Sequence, residues 1–307
     1  VNTTSATISD DLTVGDDASV AGDLSVTGDY SSTTAGTSNL RLGVNAGNSI
    51  ASGGNYNVTV GDEAGTALTT GDGNVAIGFE ALSTEDAHGN NVAVGYRALK
   101  TLNVGATAYN TAVGNDAGLS MTYGVNNTLV GGLAGDALTG SADYSGGANN
   151  VAVGRAALGG DTLGSASVAI GFETLLAQNF TSTTDTYNTA VGYRAGLAVT
   201  TGTNNTLIGS LTGDALTDAD SNVAIGYASL STDTLGSRSI AIGHGALNEQ
   251  NFTSATDTYN VAIGYAAGNV ITTGVNNTLI GAIAGDALTN ADHNTAVGRG
   301  SLGADTL

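Results

Sequence analysis

A pentapeptide of the form Asn-Val-Ala-Val-Gly, as at Asn91 to Gly95, recurs fifteen times with small changes. Its glycine falls first at Gly43 and last at Gly298, and the commonest spacing is 17 residues, with exceptions of 18, 19, 21 (twice) and 23. A period of this size, kept along most of a chain, builds a solenoid one coil at a time. The residue types agree. The apolar share of 41% comes mostly from Ala, Val, Leu and Ile, with 47 Gly and no Pro, Cys or Trp. That is too little bulk for one large core but enough for a thin core repeated in every coil. The expected fold is all-β, a parallel β-solenoid or β-roll of about 15 coils.

Stacked coils turn the motif into columns. The residue before the marker glycine is always Leu, Val or Ile (Val94, Ile170, Ile242), and the residue three before it is Val, Ile, Leu or Thr. Alternation along a strand puts these two on one face, and the pattern predicts that they build the core. The residue four before the glycine is Asn in thirteen coils and Ser in two, Ser167 and Ser239. At a coil spacing of about 4.8 Å these side chains are expected to form a hydrogen-bonded ladder. The marker glycine itself should hold a turn that a Cβ resists. The residue two before it is Ala in ten coils and Leu in three. It should point outward, and so small and apolar a column predicts a subunit interface at Ala76, Ala93, Leu129, Ala169, Leu207 and Leu279.

A four-coil super-repeat lies above the coil. Four residues after the marker the chain reads Gly, Gly, Leu, Leu in turn, as at Gly118, Gly135, Leu158 and Leu175. Coils with Gly there carry an apolar residue three positions later, such as Met121 and Leu138. The two placements are expected to fill equivalent core volume by different backbone routes. Two enlarged coils contain Asn179 to Tyr187 and Asn251 to Tyr259, and insertions into a solenoid leave the stack as loops. Phe180, Asp185, Tyr187, Phe252, Asp257 and Tyr259 are therefore candidate ligand-contact residues. The aromatics directly after marker glycines (Phe79, Tyr96, Phe172, Tyr193, Tyr227, Tyr265) read instead as caps on the core at coil corners or fillers of a subunit interface.

Residues 1–38 differ from the rest. Short alternating strands, Asp11 to Gly15 and Asp23 to Gly28, precede a polar linker. Two regions are expected, a β lead-in with linker over 1–38 and the solenoid over 39–307. The final Asp305-Thr306-Leu307 matches Asp161 to Leu163, after which another coil follows, so the solenoid is expected to continue past the last residue.

The formal charge is −20, with only seven Lys plus Arg. Such a surface repels nucleic acid and anionic membrane. No stretch has the roughly 18 apolar residues of a membrane span, so neither partner is expected. Catalytic signals are missing. No Ser has the surroundings of a nucleophile elbow, and the lone Lys100 lies outside any phosphate-loop sequence. His88, His244 and His293 are far apart, without a His or Cys at ligand spacing, and read as surface residues. Asp136, Asp214 and Asp286 stack in related coils, but without the Gly-Gly-x-Gly-x-Asp of calcium β-rolls they read as turn carboxylates. No cofactor and no enzymatic activity are expected; calcium is the less favoured possibility.

The Asn/Ser-Val-Ala-Ile/Val-Gly motif, as in Ser167 to Gly171, resembles the head repeat of trimeric autotransporter adhesins. The lead-in is similar to segments of bacteriophage tail fibres, and Asn188 to Gly196 to arrays in fibre-like proteins. The adhesin repeat is nearer 14 to 15 residues, against 17 here. The resemblance implies a parallel homotrimer or higher fibre assembly outside the cell, as a surface appendage or virion tail fibre. The expected function is structural and adhesive, with a surface glycan or receptor as further partner. Two alternatives stand beside it: an ice-binding solenoid, disfavoured because its Thr/Val column should face inward, and a polysaccharide-processing β-solenoid enzyme.

Overall fold

A computed structural model describes residues 35–303. The chain divides into units 1–31 and 32–307. The first unit, with the lead-in strands expected there, lies outside the described residues. In the second, fifteen strands of three residues form one parallel sheet, from Leu40–Leu42 to Thr295–Val297. Each strand holds the three residues before a marker glycine. Register is kept without slip: Val92 pairs with Thr111, Ala93 with Ala112 and Val94 with Val113. The 15-coil parallel solenoid is thus the fold, and among the described residues no helix is long and apolar enough to cross a membrane.

The facing of the strand is opposite to the expected one. The middle residue is buried in every strand from Val58–Val60 to Thr295–Val297, whereas its two neighbours are half-buried or exposed. Ala76, Ala93, Leu129, Ala169, Leu207 and Leu279, expected at a subunit interface, are all 0% exposed inside the single chain. Val113, Ile170, Ile208 and Ile280, expected in the core, keep more than a third of their surface in solvent. The cause is the narrowness of the coil. Across it lies a turn segment whose Leu, Ile or Met side chains supply most of the core volume, as at Leu82, Leu99, Met121 and Leu138. Only a small mid-strand residue fits opposite most of them.

Leu129, Leu207 and Leu279 explain the super-repeat. The Leu207 methyls lie 2.8 Å from where Cβ atoms would stand on Gly196 and on Gly213. Leu129 spans Gly118 and Gly135, and Leu279 spans Gly268 and Gly285, in the same way. Thr59 holds this place over Gly47 and Gly65. The mid-strand leucines, expected at an interface, therefore fill the core volume that the paired glycines leave open in neighbouring coils. The different backbone routes expected for Leu and Gly four residues after the marker are not found: Leu158 (φ 54) and Leu175 (φ 49) are as left-handed as Gly135 (φ 55) and Gly196 (φ 60).

The marker glycines have φ between 118 and 145, a region closed to side chains. From Gly43 to Gly281, an added Cβ would stand 2.2–2.7 Å from the carbonyl oxygen of the next marker glycine. The asparagine ladder is present, but its main partners are backbone groups. Each side-chain Oδ1 accepts from the backbone N of the next rung, as from Asn74 to Asn57 (2.8 Å) and from Asn222 to Asn205 (3.0 Å). Each Nδ2 donates to a carbonyl such as that of Gly71 or Gly236. All these groups are buried, and unpaired buried amides would be costly.

Candidate functional site

Three surface features flank or interrupt the repeat. The first is the outer face of the sheet. Its two columns hold only Val, Ile, Leu and Thr, without a charge, although the chain carries 27 acidic and seven basic residues. Val113, Ile170, Ile208 and Ile280 each keep more than a third of their surface in solvent, and the columns run unbroken along the sheet, a contiguous face of the kind that marks an interaction surface. The sequence pattern pointed to these columns but assigned them inward. β-Branched residues favour strands on either face, so propensity alone did not decide the direction.

The second feature follows the marker glycine. The aromatics there do not cap the core; they stack on one another along the surface. Phe79 and Tyr96 have centroids 5.3 Å apart, Phe172 and Tyr193 5.5 Å. His244 lies between Tyr227 and Tyr265 at 5.2 and 5.4 Å. Arginines extend the stacks: Arg155 sits 5.6 Å from the Phe172 centroid and Arg97 4.9 Å from that of Tyr96. Arg194 lies beside Tyr193 (5.2 Å) and also bonds Glu173. The aromatics, His244 and Arg155 share one column of planar groups at coil spacing, and Arg97 and Arg194 flank it from the next position, with offset-stacked geometry along the rings.

The third feature comprises the enlarged coils. They are less loop-like than expected. Phe180 and Phe252 are buried, a correction to their reading as ligand contacts. Each packs back because its backbone N donates to a buried carboxylate, Asp161 (3.2 Å) or Asp233 (3.0 Å). Thr184–Asp185 pairs with Gly164–Ser165, and Thr256–Asp257 with Gly236–Ser237, as short parallel strands. Tyr187, Tyr259, Asp185 and Asp257 remain exposed. The Tyr187 hydroxyl donates to Asp185 (3.2 Å), which pushes the tyrosine pKa up. Tyr259 bonds Asp257, which also pairs with Arg238.

These coils are also where Ser167 and Ser239 break the ladder. Gln178 takes over: its Nε2 donates to Asp161 (2.6 Å) and Ser167 (2.9 Å), and its Oε1 accepts from Asn188 (2.9 Å). Gln250 repeats this with Asp233, Ser239 and Asn260. The network restores the missing rung across the enlargement, a structural role.

Other titratable groups are scattered. Among the described residues one group has metal-ligand spacing, Glu85, Asp86 and His88. Glu85 already accepts from the backbone N of His88 (3.1 Å) and of Val104 (3.3 Å). Burial nevertheless holds its carboxyl above the ordinary value. Its coil position matches Asp161 and Asp233, but Leu102 stands where Gln178 and Gln250 donate. Burial also raises Asp136 and Asp214, which lie in coils four apart. Asp143, in the loop of the 23-residue coil, is held down to about 2 by hydrogen bonds from the Ser141 and Ser145 hydroxyls.

No protein family, curated protein or solved structure matches the chain.

Proposed function

We propose that this chain is a segment of an extracellular fibre, in a surface appendage or a virion tail fibre, that assembles with copies of itself and carries an adhesive surface. The observation behind this reading is the uncharged, β-branched outer face of the fifteen-stranded sheet. An uncharged face that runs unbroken along the sheet is of the kind that partners cover. A cyclic, parallel assembly, a homotrimer by resemblance to adhesin heads, buries that face and leaves the turn segments and enlarged coils outside. The acidic surface keeps such fibres apart from one another and from nucleic acid. The exposed Asp185 and Asp257 carboxylates of the enlarged coils offer acceptor groups to a surface glycan or receptor.

Sedimentation of the wild type against Ile208→Lys and Ile280→Lys tests the assembly. The wild type should sediment as a closed oligomer and the lysine variants as monomers; a monomeric wild type at high concentration sinks the proposal. Retention on cell-surface glycans tests adhesion.

The outward columns also reopen the ice-binding alternative, because the Thr/Val column that should have faced inward faces out. The last column, however, lacks hydroxyls throughout, which favours a protein partner over ordered water. Thermal hysteresis in a monomeric preparation would reverse this preference.

A further inference from the structure

The two edges of the outer face carry complementary features with the same four-coil period. Five residues before the marker, at one end of the strand, stand Tyr109, Tyr187 and Tyr259, in coils four apart. Their rings are more than half exposed, and each backbone is left-handed, with φ 52, 51 and 50. One residue after the marker, at the other end of the strand, the planar column is interrupted every fourth coil. The gaps fall at Gly132, Ser210 and Ala282, each one coil after one of these tyrosines.

The gaps are bounded by planar groups on both sides: Asn115 and Arg155, Tyr193 and Tyr227, Tyr265 and Arg299. Stacked neighbours in this column are 5.2–5.5 Å apart. Across Ser210 the Tyr193 and Tyr227 rings are therefore about 11 Å apart, room for one more ring at ladder spacing. A Cβ on Gly132 would meet only the Asn115 carbonyl oxygen, at 3.8 Å. The first four coils depart from the pattern, with Ser38 and Asp62 at the two places and a tyrosine, Tyr56, one coil late.

A cyclic assembly around an axis parallel to the solenoid makes heterologous contacts. The tyrosine edge of one copy then meets the planar-column edge of the next. We infer that Tyr109, Tyr187 and Tyr259 of one copy insert as the missing rungs at Gly132, Ser210 and Ala282 of its neighbour. The occupant is a second copy of this chain, and the three insertions fix the axial alignment of the copies. The step from tyrosine to gap is one coil, about 4.8 Å, within the span of a tyrosine side chain. The Asp185 and Asp257 carboxylates hold two of the hydroxyls before assembly. The inference rests on self-assembly through the outer face.

The chain has no cysteine, so thiol cross-linking is clean. Within one chain, residues 187 and 210 stand at opposite ends of the strand, roughly 20 Å apart, too far for a short bis-maleimide. The double variant Tyr187→Cys with Ser210→Cys should give covalent oligomers, at least about tenfold more than either single variant. Tyr259→Cys with Ala282→Cys should behave alike. Tyr187→Cys with Ala282→Cys, four coils out of alignment, should stay at the single-variant level. Sedimentation of the same samples separates the two ideas. An oligomer whose matched pairs link no better than the single variants or the misaligned pair overturns the insertion alone. A monomer overturns the insertion together with self-assembly.

Discussion

Leu207 and Ile208 are neighbours in one strand with neighbouring strands in common, yet truncation should cost far more at the first than at the second. Leu207 is fully buried, and its two methyls fill the space over Gly196 and Gly213. Neither glycine has a side chain to collapse into the void, and the surrounding turns are held by hydrogen bonds between coils. Leu207→Ala should therefore cost about 3–4 kcal/mol, the middle of the range for cavity-forming changes. Ile208 keeps 38% of its surface exposed, so Ile208→Ala should cost about 1.5 kcal/mol from lost contact in the isolated chain. Urea unfolding with an unchanged slope measures both, and amide exchange in the coils around Leu207 localises the effect, since repeat proteins need not unfold as one unit. The Leu207 cost should not depend on protein concentration, whereas the Ile208 cost should grow once copies associate. An equal or larger cost for Ile208→Ala under monomeric conditions would refute the inward placement of the mid-strand column.

Gly95→Ala sets a Cβ 2.3 Å from the Gly114 carbonyl oxygen at φ +139 and should cost about 3 kcal/mol; a midpoint shift worth under about 1 kcal/mol contradicts this. Thr59→Leu installs the side chain found at Leu129, Leu207 and Leu279, and should stabilise by about 1 kcal/mol in the same titration. Gln178→Leu removes the partner that Asp161, Ser167 and Asn188 share, leaves the buried Asp161 carboxylate with only backbone donors, and should cost about 3 kcal/mol, with faster exchange of the Phe180 amide; unchanged exchange there would argue against the network. Glu85 has a folded-state pKa raised chiefly by burial, so the folded chain binds its proton more tightly than the unfolded chain. Its contribution is complete below the ordinary carboxylate value and is lost as pH rises through the raised one. The stability difference between wild type and Glu85→Gln should therefore move against the wild type over that window, and a flat difference would contradict the raised value.

The coil count, parallel pairing, glycine turn and asparagine ladder were all legible because each depends on a residue type that has few alternative uses. Marker glycines at φ above 118 and buried Asn at each rung have no cheap substitute. Facing was not legible. Alternation separates Ala93 from Val92 and Val94 but carries no sign, and the sign depends on what lies across the coil. The Gly/Leu exchange four residues after the marker was the missing clue: it reports a cavity too narrow for β-branched side chains on the opposite wall. The burial of Phe180 and Phe252 was hidden for a different reason. It depends on Asp161 and Asp233, 19 residues upstream, and nothing in the repeat marks their carboxylates as acceptors for a backbone amide in the next coil. The stacked aromatic column was visible as a sequence column, yet its rings were assigned to core corners or a subunit interface, because surface stacking leaves no mark on polarity patterns.

The exchange between Leu207 and its two glycines has a consequence for how such a chain reaches its native state. Fifteen near-identical coils invite mispairing, because a strand offers the same hydrogen bonds to any other strand. A slip of one coil would set a leucine against a leucine and leave a glycine pair uncovered. Only a slip of four coils restores every match. The side-chain pattern thus acts as a proofreading code written over a uniform backbone, and it predicts that tolerated deletions or duplications come in blocks of four coils.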